Sequence, residues 1–254
     1  MSEFSKLSTP TAGLPAPHRV TADRGWHWLL DAFDKFKQQA GLWIVLWLIY
    51  VIILAALSSM TTIGFVGQIV APILFGGLVL GCTAQEEGEE VELGHLFAGF
   101  RKNTGQLALV GVISLVLFLI AAVVAVVPLA IMGGTSMIMG LTAGKATGMA
   151  TGAGLGLALG ALLALLLFFA LIVPITMATW FASALVMLND AQALDAMKLS
   201  FSACWLNVMP FTVYGLVALV LGVLAMIPLG LGLLVLGPVL LISGYTSYRD
   251  VFGG

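Results

Sequence analysis

The stretch QQAGLWIVLWLIYVIILAALSSMTTIGFVGQIVAPILFGGLVLGCTAQ, residues 38–85, holds no Asp, Glu, Lys, Arg or His. A helix crossing the hydrocarbon core of a bilayer needs about 20 apolar residues. This stretch therefore has room for two crossings, with a turn expected near Ser58-Ser59-Met60 and Gly64. Three more stretches without acidic or basic residues follow, at 103–144, 146–189 and 199–248, and by length they hold one, one and two crossings. The reading is an all-α, polytopic membrane protein with six transmembrane helices. They are expected at about 42–62, 65–84, 106–132, 154–188, 208–227 and 229–247. The fourth exceeds one bilayer crossing and is expected to tilt or project.

Composition agrees. Of the 254 residues, 61% are hydrophobic and 9% charged, whereas a soluble domain is about half apolar and a quarter charged. Ten basic and 12 acidic residues give a net charge of −2, which leaves no basic surface for nucleic acid. Residues 1–18, rich in Ser, Thr, Pro and Ala, are expected to form a disordered cytoplasmic tail. Residues 19–254 are expected to form a single six-span domain, and the first apolar run should act as an uncleaved anchor. With six crossings, Lys6, Arg19, Arg24, Lys35, Lys37, Arg101, Lys102, Lys198 and Arg249 share one side, and Lys145 alone lies on the other. The positive-inside rule then puts both termini in the cytoplasm, as expected of a bacterial inner-membrane protein.

A threefold repeat is expected, each unit an interfacial amphipathic helix followed by a helical pair. The apolar faces are Trp26, Leu29, Leu30, Phe33 and Phe36, then Leu93, Leu96, Phe97 and Phe100, then Leu194, Met197, Phe201 and Trp205. Each follows helical spacing. Phe33, Phe100 and Phe201 are expected in equivalent places facing the bundle. The second helix of each pair carries Pro72, Pro174 or Pro238, which interrupts a backbone bond and kinks the helix. Gly152, Gly156 and Gly160, and Gly77 with Gly81, form G-x-x-x-G units that let backbones approach closely.

Candidate chemistry is sparse. No ionisable residue other than cysteine or tyrosine lies within the expected spans, which argues against ion coupling. Gly144-Lys145 is no phosphate loop, because Met139 and Ala146 stand where the motif needs Gly and Ser or Thr. Asp23, His27 and Asp31 share a spacing that a metal could use, though a solvated face explains it; His95 with Glu92 is a weaker pair. The acidic run Glu86, Glu87, Glu89, Glu90 and Glu92 suits the positive end of the helix that follows. Cys82 and Cys204 read as free buried thiols. No catalytic, cofactor or metal residue is assigned.

Five segments carry a resemblance: GWHWLLDAF from Gly25, GHLFAGFR from Gly94, TWFASALVML from Thr179, KLSFSACWLNVMPF from Lys198 and GYTSYRDVF from Gly244. Together they resemble the BPSS-type family of uncharacterised proteobacterial integral membrane proteins. The resemblance implies an inner-membrane, multi-span protein and carries no catalytic residue. The function expected is a non-enzymatic scaffold or assembly factor that binds membrane lipid or a protein partner at its cytoplasmic face, without cofactor. The alternative is a transporter or channel for a neutral or lipid-like solute passing between the kinked helices.

Overall fold

The computed structural model describes residues 13–59, 65–142 and 146–253, with side chains described throughout except at 136–137, 139–142 and 146–155. The expected tail at 1–12 with Lys6, the turn at 60–64, the Gly144-Lys145 pair, and the glycine face at Gly152 lie outside the described residues. What is described is helical: α1 (Arg24–Gln38), α2 (Ala40–Ser59), α3 (Val66–Glu86), α4 (Leu93–Leu96), a 3-10 turn (Ala98–Phe100), α5 (Thr104–Thr142), α6 (Ala146–Trp180), α7 (Ala182–Asn189), α8 (Ala193–Leu206), α9 (Val208–Met226) and α10 (Leu233–Phe252). Five candidate spans are long and apolar enough to cross a bilayer: Ala40–Ser59, Val66–Glu86, Thr104–Thr135, Gly156–Asn189 and Val208–Met226. These match the first five expected crossings to within a few residues. The last expected crossing is a helix of 20 residues, α10, but it is not among the five.

The chain falls into two compact units, Met1–Ile113 with Met177–Gly254, and Ser114–Thr176. In the first, α10 packs against α1, α2, α3 and α9. Its polar residues explain both its composition and its burial. Ser243 and Ser247 donate to Leu240 O and Gly244 O at 2.8 and 3.0 Å, and Thr246 donates to the Trp28 carbonyl at 2.8 Å. Each hydroxyl is therefore satisfied within protein, where an unpaired one would cost roughly 1–3 kcal/mol.

The first expected amphipathic face is divided. Helix α1 buries Trp28, Leu29, Ala32 and Phe36 but exposes Trp26, Leu30 and Phe33. Its apolar arc is wider than one contact can cover, and the Trp28 indole is drawn inward by a carboxylate described below. The second segment departs further. In place of a continuous helix, Leu93–Phe100 is one α-turn followed by a 3-10 turn. It lies along α3, where Gly77 meets the carbonyls of His95 and Leu96, and Gly81 lies beside Val91. The G-x-x-x-G face of α3 thus admits this short segment's backbone, with no room for a side chain at Gly77. In the third segment α8 buries small residues, Ala193, Ala196, Ser200, Ala203 and Cys204, together with Met197. Leu194 and Trp205 face outward.

The expectation that Phe33, Phe100 and Phe201 face the bundle is therefore corrected. Phe33 and Phe100 are exposed and Phe201 is half-buried. Each lies against a second aromatic of its own segment: Phe33 stacks with Phe36 at 6.1 Å and Phe201 with Trp205 at 6.1 Å, while Phe100 meets Phe97 in a tilted pair at 6.5 Å. The bundle side is taken instead by Trp28, Leu29, Ala32 and Phe36 in the first segment, by Leu96 and Gly99 in the second, and by Ala196, Met197, Ser200 and Ala203 in the third.

A break separates α6 from α7 at Phe181. There the Ser200 hydroxyl enters the backbone ladder, donating to Met177 O at 2.7 Å and accepting from Phe181 N at 2.9 Å. A side chain inserted in this way accounts for a helix break without invoking flexibility. Beyond it, residues 182–187 of α7 are all buried.

The second unit is two antiparallel helical segments from α5 and α6. A Cβ on Gly160 would lie 3.1 Å from Leu129 Cα, so the backbones touch at that glycine. Ala121 and Ala125 are buried on the same helix as Leu129. Outward residues include Ile120, Val123, Leu166 and Phe169, an apolar surface suited to lipid.

Ser200→Ala should leave Met177 O and Phe181 N without their shared partner and cost about 2 kcal/mol. The apparent Tm in detergent should fall by roughly 4–8 °C. An unchanged Tm would mean the break is held by packing alone.

Candidate functional site

The ionisable residues gather where the ends of α1, α3, α7 and α10 meet. Glu86, last residue of α3, receives three groups. Lys35 Nζ from α1 lies 3.0 Å from Oε1, while the Tyr245 hydroxyl donates to Oε2 at 2.7 Å and Arg249 Nε lies 3.3 Å from the same oxygen. Next to it, the buried Gln85 amide donates to the Lys35 carbonyl at 2.8 Å and to Gln38 Oε1 at 3.1 Å. Gln85 Oε1 accepts from the Trp43 indole at 3.2 Å. Gln39 Oε1 accepts from Val91 N at 3.0 Å. The junction of α1 and α2 is thereby fixed to both ends of the acidic turn.

A second carboxylate pins the other end of α1. Asp250 Oδ2 accepts from Arg24 Nε at 2.8 Å and from the Trp28 indole at 2.7 Å. That hydrogen bond, ahead of the attraction of the charge itself, holds the Arg24 guanidinium above its ordinary pKa. Around Trp28 the aromatic rings interlock, with centroids 5.0 Å from Phe211, and Phe181 5.8 Å from Phe211 and 5.3 Å from Phe252. Aromatic pairs at such separations add about 0.5–1.5 kcal/mol beyond simple burial. Segments far apart in sequence, around Trp28, Phe181, Phe211 and Phe252, meet at this cluster.

A third group closes the α3–α5 connection. Asn103, in the left-handed region at φ 58°, donates to Val186 O and Asp190 Oδ1, both at 2.7 Å. Lys102 Nζ donates to Met187 O at 2.9 Å and lies 3.5 Å from Asp190. The Asn103 bond first, then the Lys102 charge, hold the Asp190 carboxyl below its usual pKa. The last group is buried Asn207, which accepts from Val20 N at 2.9 Å and donates to His18 O and Ala203 O at 3.0 Å. His18 N in turn donates to Val251 O at 3.0 Å, so the chain is tied to the fold from His18 onward.

Asp23 and His27 are brought together, with His27 Nδ1 3.7 Å from Asp23 Oδ2, but Asp31 is not part of that pair. His27 Nδ1 lies 3.0 Å from the Asp23 carbonyl oxygen, while Asp31 faces Arg24 at 3.4 Å. His95 and Glu92 form a helix cap, in which Glu92 N donates to His95 Nδ1 at 2.9 Å. Of the acidic run, only Glu86 has an ion-pair partner among the described residues. Cys82 and Cys204 are buried and free, and burial pushes the Cys204 thiol up. Sequence reading missed Glu86 as a hub, along with Asp250, Gln85, Asn103 and Asn207. The one available signal was polar residues standing at the edges of apolar runs.

The arrangement is one of clamps between helices. Every buried side-chain N or O among the described residues has a hydrogen-bond partner, and the central carboxylates are neutralised by adjacent cations.

The chain is similar to a protein of Burkholderia thailandensis named a probable inner membrane protein, 27% identical over 252 residues, covering 92% of this chain and 93% of that protein. No family model matches, and no solved structure matches. The likeness and the five apolar helices support a multi-pass inner-membrane location.

Glu86→Gln should remove the charge that Lys35 and Arg249 share, together with one of the two acceptor oxygens, and lower stability by about 2 kcal/mol. Hydrogen exchange across Arg24–Gln38 should rise, while Glu89→Gln, on the exposed turn, should stay within about 0.5 kcal/mol of wild type. Equal effects of the two substitutions would deny Glu86 its role as the clamp.

Proposed function

We propose that the protein is a non-enzymatic scaffold or assembly factor of the inner membrane, with six crossings and both termini in the cytoplasm. The observation that carries this reading is the pairing of a cluster of internally bonded charged groups around Glu86 and Asp250 with an outer surface bearing the aromatic residues Trp26, Phe33, Phe97, Phe100 and Trp205. Such a cluster positions a surface; it presents no nucleophile with a base beside it. Counting α10 as the sixth crossing is supported by its 20 residues, and its serines and threonine are turned inward. The orientation rests on the excess of Lys and Arg at one end. The same reading keeps the threefold repeat, with an aromatic pair and a proline-bearing helix in each unit, and the BPSS-type resemblance. Membrane lipid and a protein at the cytoplasmic face are the partners it implies.

Purification in a gentle detergent should recover a protein partner at fixed stoichiometry. A tightly held neutral solute with no such protein would favour the transporter reading instead. A reporter fused after Gly254 should be active only when cytoplasmic reporters are. Activity of a periplasmic reporter there would show that α10 does not cross.

A further inference from the structure

The outward aromatic pairs lie beside cations that the fold leaves unneutralised. Phe97 and Phe100, 44% and 45% exposed, are followed at once by exposed Arg101. On α8, Lys198 stands on the exposed surface between Leu194 and Trp205, the latter 57% exposed. Neither Arg101 nor Lys198 has a carboxylate within 4.0 Å among the described residues. Lys35, Lys37, Arg24, Lys102 and Arg249 all do.

Two further observations identify what covers this surface. One is continuity: exposed Trp205 and Leu206 lead directly into Val208 and Met209, and from there into the outward face of the span α9 at Leu216, Leu219, Val220 and Val223. A surface that runs unbroken into a lipid-facing span is covered by the same lipid. The other is the charge gradient along α3. Val91 lies beside Gly81 and Gly99 beside Ile73, so the segment descends about 12 Å along α3 at 1.5 Å per residue. Glu87, Glu89 and Glu90 stand at one end of this segment and Arg101 at the other.

We propose that the aromatic pairs Phe97–Phe100 and Phe201–Trp205, with Arg101 and Lys198, form a binding surface for anionic phospholipid headgroups. The aromatic rings enter the boundary between headgroup and acyl chain, and the cations meet the phosphates there. An apolar face flanked by Lys or Arg is the arrangement that binds an anionic interface. The acidic turn is directed away from it, where its charge does not oppose the lipid. The proposal rests on the scaffold reading only in using the same face. It names lipid, and no soluble protein, as the occupant of these two stripes.

The test uses the full chain in mixed micelles supplemented with equal amounts of phosphatidylglycerol and phosphatidylcholine, with retained lipid counted by native mass spectrometry. Wild type should retain phosphatidylglycerol preferentially. Arg101→Ala and Lys198→Ala should each lower that preference about fivefold, the factor matching the roughly 1 kcal/mol a basic residue gains at an anionic surface. Arg101→Lys should preserve it. Both positions are exposed, and an unchanged Tm will show that the variants fold. Separately, acyl-brominated phosphatidylglycerol should quench tryptophan emission less in Trp205→Phe than in wild type. No phosphatidylglycerol preference in wild type, or an undiminished preference in the double alanine variant, would overturn the proposal. So would a protein partner whose removal is needed before Trp205 is quenched. A failed search for a protein partner would count against the scaffold reading and leave this result standing.

Discussion

Two carboxylates at opposite ends of α1 hold the polar end of the first unit together. Asp250 takes Arg24 and Trp28, and Glu86 takes Lys35 with Tyr245 and Arg249. Helix α1 carries an apolar arc wide enough to bury on one side and expose on the other, so hydrophobicity alone leaves its rotation open. The carboxylates remove that freedom. With α1 fixed, Gly25 comes against the backbone of Pro210, and Trp28 enters the aromatic cluster with Phe211 and Tyr214. Trp26, Leu30 and Phe33 are left outside.

The same logic explains why the most polar of the long helices sits where it does. In hydrocarbon a free hydroxyl or backbone group has no water to turn to. α10 carries Ser243, Thr246 and Ser247 and is surrounded by α1, α2, α3 and α9, which supply or permit every bond those groups make. The buried hydroxyl of Ser200 does comparable duty at the α6–α7 break, where it stands between a carbonyl and an N–H that would otherwise bond each other. Polar residues near or within the apolar segments are thus engaged internally, which leaves the outer surface free to be apolar and aromatic.

That division bears on function. Among the described residues every buried side-chain N and O is engaged, and Glu86 and Asp250 act as fasteners. The surface carries the exposed aromatic residues Phe33, Phe97, Phe100 and Trp205, the exposed cations Arg101 and Lys198, and long apolar helices.

Helix content, the first five apolar crossings and the bunching of charge were legible from residues alone, because a bilayer demands about 20 apolar residues in a row and tolerates few charges within them. Periodicity also showed that the segments at 26–36, 93–100 and 194–205 are two-faced, but it could not say which face turns inward. That choice depended on partners on other helices, Asp250 for the first and Gly77 for the second, and for the third on Met177 and Phe181, which Ser200 reaches. Gly94 and Gly99 lie within a run whose spacing reads as helix, and only the carbonyl contacts with α3 made it two short turns. Glu86 looked like one of five acidic residues in a row; the tertiary structure singled it out by bringing Lys35, Tyr245 and Arg249 to it. Local pattern determines how much surface a segment must bury, whereas the partner that buries it comes from packing between distant segments, which no local pattern encodes.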